Sequence, residues 1–126
     1  MDERTHIKTV PGSLERAIEI AVMAHAGQPD RAGAPSILHP LRVMFAQPTV
    51  QDRIVGVLHD VVEDGDDWTL DRLRANRFSA EIVEAVDHLT KRKSEEDDYM
   101  AFVRRAAGNP IARRVKFADL ADNLDV

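Results

Sequence analysis

His59 and Asp60 stand side by side near the end of a mostly apolar stretch. Adjacent side chains on a helix point about 100° apart, so an imidazole and a carboxylate placed this way can reach one ion from neighbouring faces. Glu63 and Asp64 follow one turn later, over His59 and Asp60 respectively. One imidazole and three carboxylates therefore crowd a single helix end. A hydrophobic core has no use for such a group, because a buried unpaired carboxylate is expensive. A divalent metal would pair with the charge. The alternative is a solvated acidic helix terminus, which would oppose the helix dipole.

Two further segments offer ligand chemistry. His39 precedes Pro40, whose fixed φ sets the chain direction just after it. A satisfied polar histidine is the competing reading there. Near the C-terminus, Lys116, Asp119 and Asn123 share one helix face. Asp119 is then either a ligand or the partner of Lys116 in an internal ion pair. Asp122 falls off that face and is not counted as a ligand. His25 reads as a polar helix end, and His6 and His88 carry no pattern. His39, His59, Asp60 and Asp119 together make two imidazoles and two carboxylates. Nitrogen and oxygen donors without sulfur suit Mn²⁺, Fe²⁺, Co²⁺ or Zn²⁺.

Helices must position these residues, since apolar spacing of three and four dominates and no segment alternates with period two. Ser13 is a good N-cap for a first helix that ends by Gly27, with Leu14, Ala17, Ile18, Ala21 and Val22 inward. Residues 27–36 are rich in Gly, Pro and Asp and read as a loop. Pro40 can open a short helix through Phe45. A long helix is expected from Gln51 to Glu63, followed by an acidic loop over 64–67. Thr69 and Ser79 cap two more, the first running to Asn76 and the second burying Ile82, Val83, Val86 and Leu89. Lys91 to Asp98 is a charge run of the kind usually found in solvent. Tyr99, Phe102, Val103 and Ala106 mark another stripe. Asn109-Pro110 opens a last helix to about Leu124, with Phe117, Leu120, Ala121 and Leu124 as its apolar face. The expected fold is all-α, a single bundle of six to seven helices.

The chain has 126 residues, enough for one domain, and a net charge of −5 with acids and bases well mixed. That balance argues against nucleic-acid binding, which favours a basic stripe. The absence of cysteine excludes disulfides and thiolate metal sites and suits the cytoplasm. No stretch approaches the apolar run of a membrane span, and residues 1–10 show no signal peptide.

His25-Ala26-Gly27-Gln28 with Gly33-Ala34-Pro35 and His39-Pro40 resembles the opening motif of the RelA/SpoT hydrolase domain and the small alarmone hydrolases. Leu58-His59-Asp60-Val61-Val62-Glu63-Asp64 is similar to their H-D-x-x-E-D motif, Leu89-Thr90-Lys91 to a further segment, and Val115 to Asp119 with Asn123-Leu124 to the closing motif. The resemblance implies an HD-type domain over residues 1–126. It implies that His39, His59, Asp60 and Asp119 bind one Mn²⁺, and that Glu63 and Asp64 are the catalytic acids. It implies that Asn123 and Lys116 touch the nucleotide. The implied reaction removes pyrophosphate from the 3′ position of guanosine tetra- or pentaphosphate. Such a metal acidifies water and polarises a phosphoryl oxygen, and a carboxylate beside it takes the proton.

The sequence also departs from the family. A basic pair usually follows the glutamine, its first member stacking on guanine. Here Asp30 stands at the first position and Arg31, a candidate phosphate or base contact, at the second. An acid cannot make a cation–π contact. Pro35-Ser36 replaces the family's Pro-Tyr, and the chain stops at Val126, where family members usually continue for one or more helices. These departures keep two alternatives open: an HD phosphohydrolase for another nucleotide or phosphate ester, and a metal-stabilised binding module without turnover.

Overall fold

A computed structural model describes residues 8–30, 32–65 and 67–124. It is all helical, with no strand among the described residues beyond an isolated bridge between Pro29 and Pro35. The helices are α1 (Leu14–His25), α2 (Leu38–Phe45), α3 (Val50–Leu58), α4 (Val61–Asp64), α5 (Leu70–Ala75), α6 (Ala80–His88), α7 (Tyr99–Ala107) and α8 (Pro110–Leu124). A 3-10 turn, Lys93–Glu95, precedes α7.

The predicted caps are present. Ser13, Thr69 and Ser79 each accept a hydrogen bond from the backbone N–H three residues on, satisfying a donor with no partner inside its helix. Thr49, not anticipated from the sequence, caps α3 in the same way. Asn109 does this twice, from Ile111 at 3.0 Å and Ala112 at 2.9 Å. Pro40 falls in the first turn of α2, not at its start, so His39 lies inside the helix.

The helix expected over 51–63 is broken. α3 ends at Leu58, and Asp60 takes φ −105° and ψ 0° before α4 begins. A side-chain bond accompanies the break: the His59 ring donates from Nδ1 to the Gly56 carbonyl at 2.6 Å. That carbonyl is the one residue 60 would use in a continuous helix. The interruption turns Asp60 away from the ideal helical register without detaching α4, whose Asp64 N–H still bonds the Asp60 carbonyl at 2.9 Å.

α3 is the central element, packed against α1, α2, α6 and α8. Ile54, Val55, Val57 and Leu58 are all buried along it. Gly56 permits the approach of α2, because a Cβ there would sit 3.2 Å from the Met44 Cα. The buried Asp52 carboxylate is gripped by Arg114 at 3.1 and 3.0 Å, which ties α3 to α8.

Two helix faces and the charge run differ from expectation. In α1, Ile20 is fully buried while Val22 is 48% exposed. In α8, Phe117 is 77% and Leu124 87% exposed. The inward side of α8 is instead Ala112, Val115, Lys116 and Asp119. Its polar residues face the core because their partners are there. In the charge run, Glu95 is buried and bonded by Arg105 at 2.9 Å through both Nε and Nη2. This pair, with the Arg105 bond to the Thr90 carbonyl at 2.7 Å, folds residues 90–95 onto α7.

Candidate metal centre

α2, the α3–α4 break and α8 bring His39, His59, Asp60 and Asp119 together. One ligand atom from each lies within 4.8 Å of all the others. His39 Nε2 is 2.7 Å from Asp119 Oδ1 and 3.9 Å from Asp60 Oδ2. His59 Nε2 is 3.0 Å from Asp60 Oδ2 and 3.4 Å from Asp119 Oδ1. The two rings meet edge to face, with centroids 5.3 Å apart.

His59 is the deepest of the four. Since a carbonyl only accepts, its Nδ1 carries the proton toward Gly56, and Nε2 faces the carboxylates. That Nε2 is buried and has no hydrogen-bond partner of proper geometry among the described residues. A buried polar atom of this kind is costly unless something pairs with it. Burial alone would lower the His59 pKa, but Asp60 and Asp119 outweigh it and hold the imidazole well above its usual value. His39 is raised chiefly by its bond to Asp119. Asp119 is held well below the carboxylate range: its burial is overcome by both histidines and Lys116. The set is two imidazoles and two ionised carboxylates, with one nitrogen unsatisfied. These donors fit a first-row divalent metal.

Lys116 is the partner of Asp119, at 2.9 Å. Its ammonium also lies over the rings of Phe102, 4.8 Å from the centroid, and Tyr99, 5.3 Å away. This is the internal ion pair that the spacing left open. Asn123 is exposed and reaches Asp119 Oδ1 at 3.4 Å.

Glu63 and Asp64 are exposed beside the centre. Glu63 accepts a short hydrogen bond from the Lys91 N–H. The carboxyl pKa values of both are raised, by partial burial first and by the neighbouring Asp60 charge next in Asp64.

Two nearby groups escaped the sequence reading. Asp122, set aside as off the ligand face, bonds His39 Nδ1 at 2.6 Å. Its signal was its position three residues after Asp119, which places both on one side of α8. His25, read as a polar helix end, is buried, and its Nε2 has no hydrogen-bond partner among the described residues. Burial lowers its pKa, against the pull of Asp60 and Asp64.

The loop carrying the family departures is closed on itself. Asp30 Oδ1 accepts from the N–H groups of Ala32 and Ala34, both at 2.8 Å. Ser36 donates to the His25 carbonyl at 3.2 Å. Arg31 lies outside the described residues.

No family model matches the chain. It is 30% identical over 121 residues to a guanosine-3′,5′-bis(diphosphate) 3′-pyrophosphohydrolase of Aquifex aeolicus, covering 88% of this chain and 17% of the relative. An enzyme of the same name from Borreliella burgdorferi is 35% identical over 83 residues, 63% of this chain and 12% of the relative. A probable GTP pyrophosphokinase of Mycobacterium leprae is 31% identical over 122 residues, 88% of this chain and 15% of the relative. The chain is of the RelA/SpoT type. This RelA/SpoT-type chain thus spans less than a fifth of the length of these relatives, some named for hydrolysis and one for synthesis. No helix among its described residues is long and apolar enough to cross a membrane.

Proposed function

We propose that this chain is an HD-type, metal-dependent phosphohydrolase domain that removes the 3′-pyrophosphate of guanosine tetra- or pentaphosphate. The observation that carries this reading is the convergence of His39, His59, Asp60 and Asp119 beside two exposed carboxyls with raised pKa values. Hydrolysis is favoured over synthesis because the chain's chemistry lies in that His/Asp cluster.

The four residues would hold one divalent ion, with Mn²⁺ the first choice for a nitrogen and oxygen set. When bound, such an ion supplies Lewis-acid polarisation of a phosphoryl oxygen and acidifies water. Glu63, oriented by the Lys91 N–H, accepts the proton of the attacking water. Asp64, whose carboxyl pKa is raised by partial burial and by the Asp60 charge, is the candidate to return a proton to the leaving 3′ oxygen. Asn123 points its amide at the same centre and can donate to a phosphate. Lys116 keeps Asp119 ionised and fixed. Arg31 stays a candidate phosphate or base contact. The setting proposed is the cytoplasm, with neither nucleic acid nor membrane as a partner.

Asp30 favours a second reading. Its carboxylate is spent on the loop backbone where a guanine-stacking cation would be expected. Another nucleotide or phosphate ester would then be the substrate. Pyrophosphate release from guanosine tetraphosphate by Mn²⁺-loaded protein, with Glu63→Gln as control, decides the matter. Release that needs both metal and Glu63 supports the first reading. No release from a folded, metal-bound sample sinks it, and turnover of a different phosphorylated compound establishes the second.

A further inference from the structure

We infer that Asp122 and Arg42 are positioning residues that aim His39 Nε2 at the metal position. This rests on the metal reading above and adds residues that the motifs do not contain. α8 places Asp119 and Asp122 so that their carboxylates grip opposite edges of one imidazole. Asp119 Oδ1 lies 2.7 Å from His39 Nε2, and Asp122 Oδ2 lies 2.6 Å from Nδ1. An ionised carboxylate only accepts, so the proton between His39 Nδ1 and Asp122 belongs to the imidazole. The same rule puts a second proton on Nε2, toward Asp119. Nε2 is the nitrogen that faces the candidate ligands Asp60 and Asp119, so a bound ion would displace that proton and leave Nδ1–H on Asp122. Arg42, three residues after His39 on α2, holds the carboxylate from behind. Its Nε donates to Asp122 Oδ1 at 2.6 Å and its Nη2 to Oδ2 at 3.0 Å. A planar fork on both oxygens fixes the carboxylate plane as well as its position. The side chain of Asp122 is only 16% exposed, so water competes weakly for it.

The two histidines of the centre are therefore oriented by different means. His59 is set by a backbone carbonyl, which no side-chain change removes. His39 is set by a side-chain pair. A carboxylate behind a ligating imidazole fixes its tautomer and raises its basicity, and losing such a partner commonly weakens metal binding 10–100-fold.

The test is Mn²⁺ affinity by calorimetry on wild type, Asp122→Ala, Asp122→Asn and Arg42→Met, each checked for helical content. We expect Asp122→Ala to weaken binding about 10–100-fold. Asp122→Asn, which keeps a carbonyl acceptor, should recover part of the loss, a graded rescue that a merely structural role would not give. Arg42→Met should fall between Asp122→Asn and wild type. If Asp122→Ala does not fold, the asparagine and methionine variants carry the test. Wild-type affinity in both would overturn the relay. A nitrogen NMR spectrum of Zn²⁺-loaded protein gives a second readout. Metal on His39 Nε2 with the proton on Nδ1 supports the assignment, and metal on Nδ1 overturns it. A wild type that binds neither metal would overturn the metal centre and the relay together. A binding wild type with unaffected variants removes the relay alone.

Discussion

The carboxylate of Glu63, in α4, accepts the backbone N–H of Lys91, just beyond α6. A residue proposed to handle the proton of water is thereby anchored to a segment 28 positions away. This gives Leu89-Thr90-Lys91 a physical role: the segment presents a donor. Lys91→Ala keeps that donor and should leave turnover near wild type. Lys91→Pro removes it, and should lower kcat about 10-fold or more with Mn²⁺ affinity unchanged. Steady-state kinetics beside metal titration would separate the two effects.

Asp119 has two duties, one toward the histidines and one toward Lys116. Asp119→Ala should abolish Mn²⁺ binding. It should also leave the Lys116 ammonium nearly buried without its carboxylate, at a cost of about 3 kcal/mol. Asp119→Asn should lose the metal at a smaller cost in stability. Chemical denaturation of metal-free protein reads the second effect, and calorimetry the first.

Glu95 has its carboxyl pKa lowered to about 2 by its hydrogen-bonded partner Arg105. A carboxyl depressed on folding binds fewer protons in the folded than in the unfolded state. Its contribution is therefore complete above the ordinary value of 4.5 and is lost as pH falls toward about 2. Glu95→Gln should lower the melting temperature at neutral pH and converge on wild type near pH ~2, since the stabilisation is gone there in both. Melting curves across that range are the check.

Asp30 closes the loop over 28–36 through two N–H groups. Asp30→Ala should cost about 1 kcal/mol, the usual size of such a side-chain acceptor, and should raise KM more than it lowers kcat. Asp30→Asn, which keeps an acceptor oxygen, should restore most of both. An unchanged KM in Asp30→Ala would mean that the loop does not border the substrate.

The helices were legible because caps and spacing are local. Ser13, Thr69, Ser79 and Asn109 each set a helix start with a side-chain oxygen two or three positions from the donor it serves. The candidate ligands were legible because His and Asp at those spacings have no cheap use in a core. What stayed hidden depends on distant partners. The break at His59-Asp60 accompanies a ring bonding its own helix backbone, which no apolar pattern encodes. The inward face of α8 is polar because His39, Tyr99 and Phe102 wait for Asp119 and Lys116. An amphipathicity argument sees only Phe117 and Leu124 and chooses the wrong side. Glu95 looked like one more solvated charge until Arg105 arrived from the next helix.

His39 and Asp119 are 80 positions apart and meet only when α2 and α8 pack on α3. In the unfolded chain those donors are dispersed, so an ion that needs all four can distinguish the assembled protein from every partly built one. Uptake of metal would then report the last stage of folding, and chelation would act as a denaturant. Removing α8 would erase the whole affinity of the centre, well beyond the share of one ligand in four.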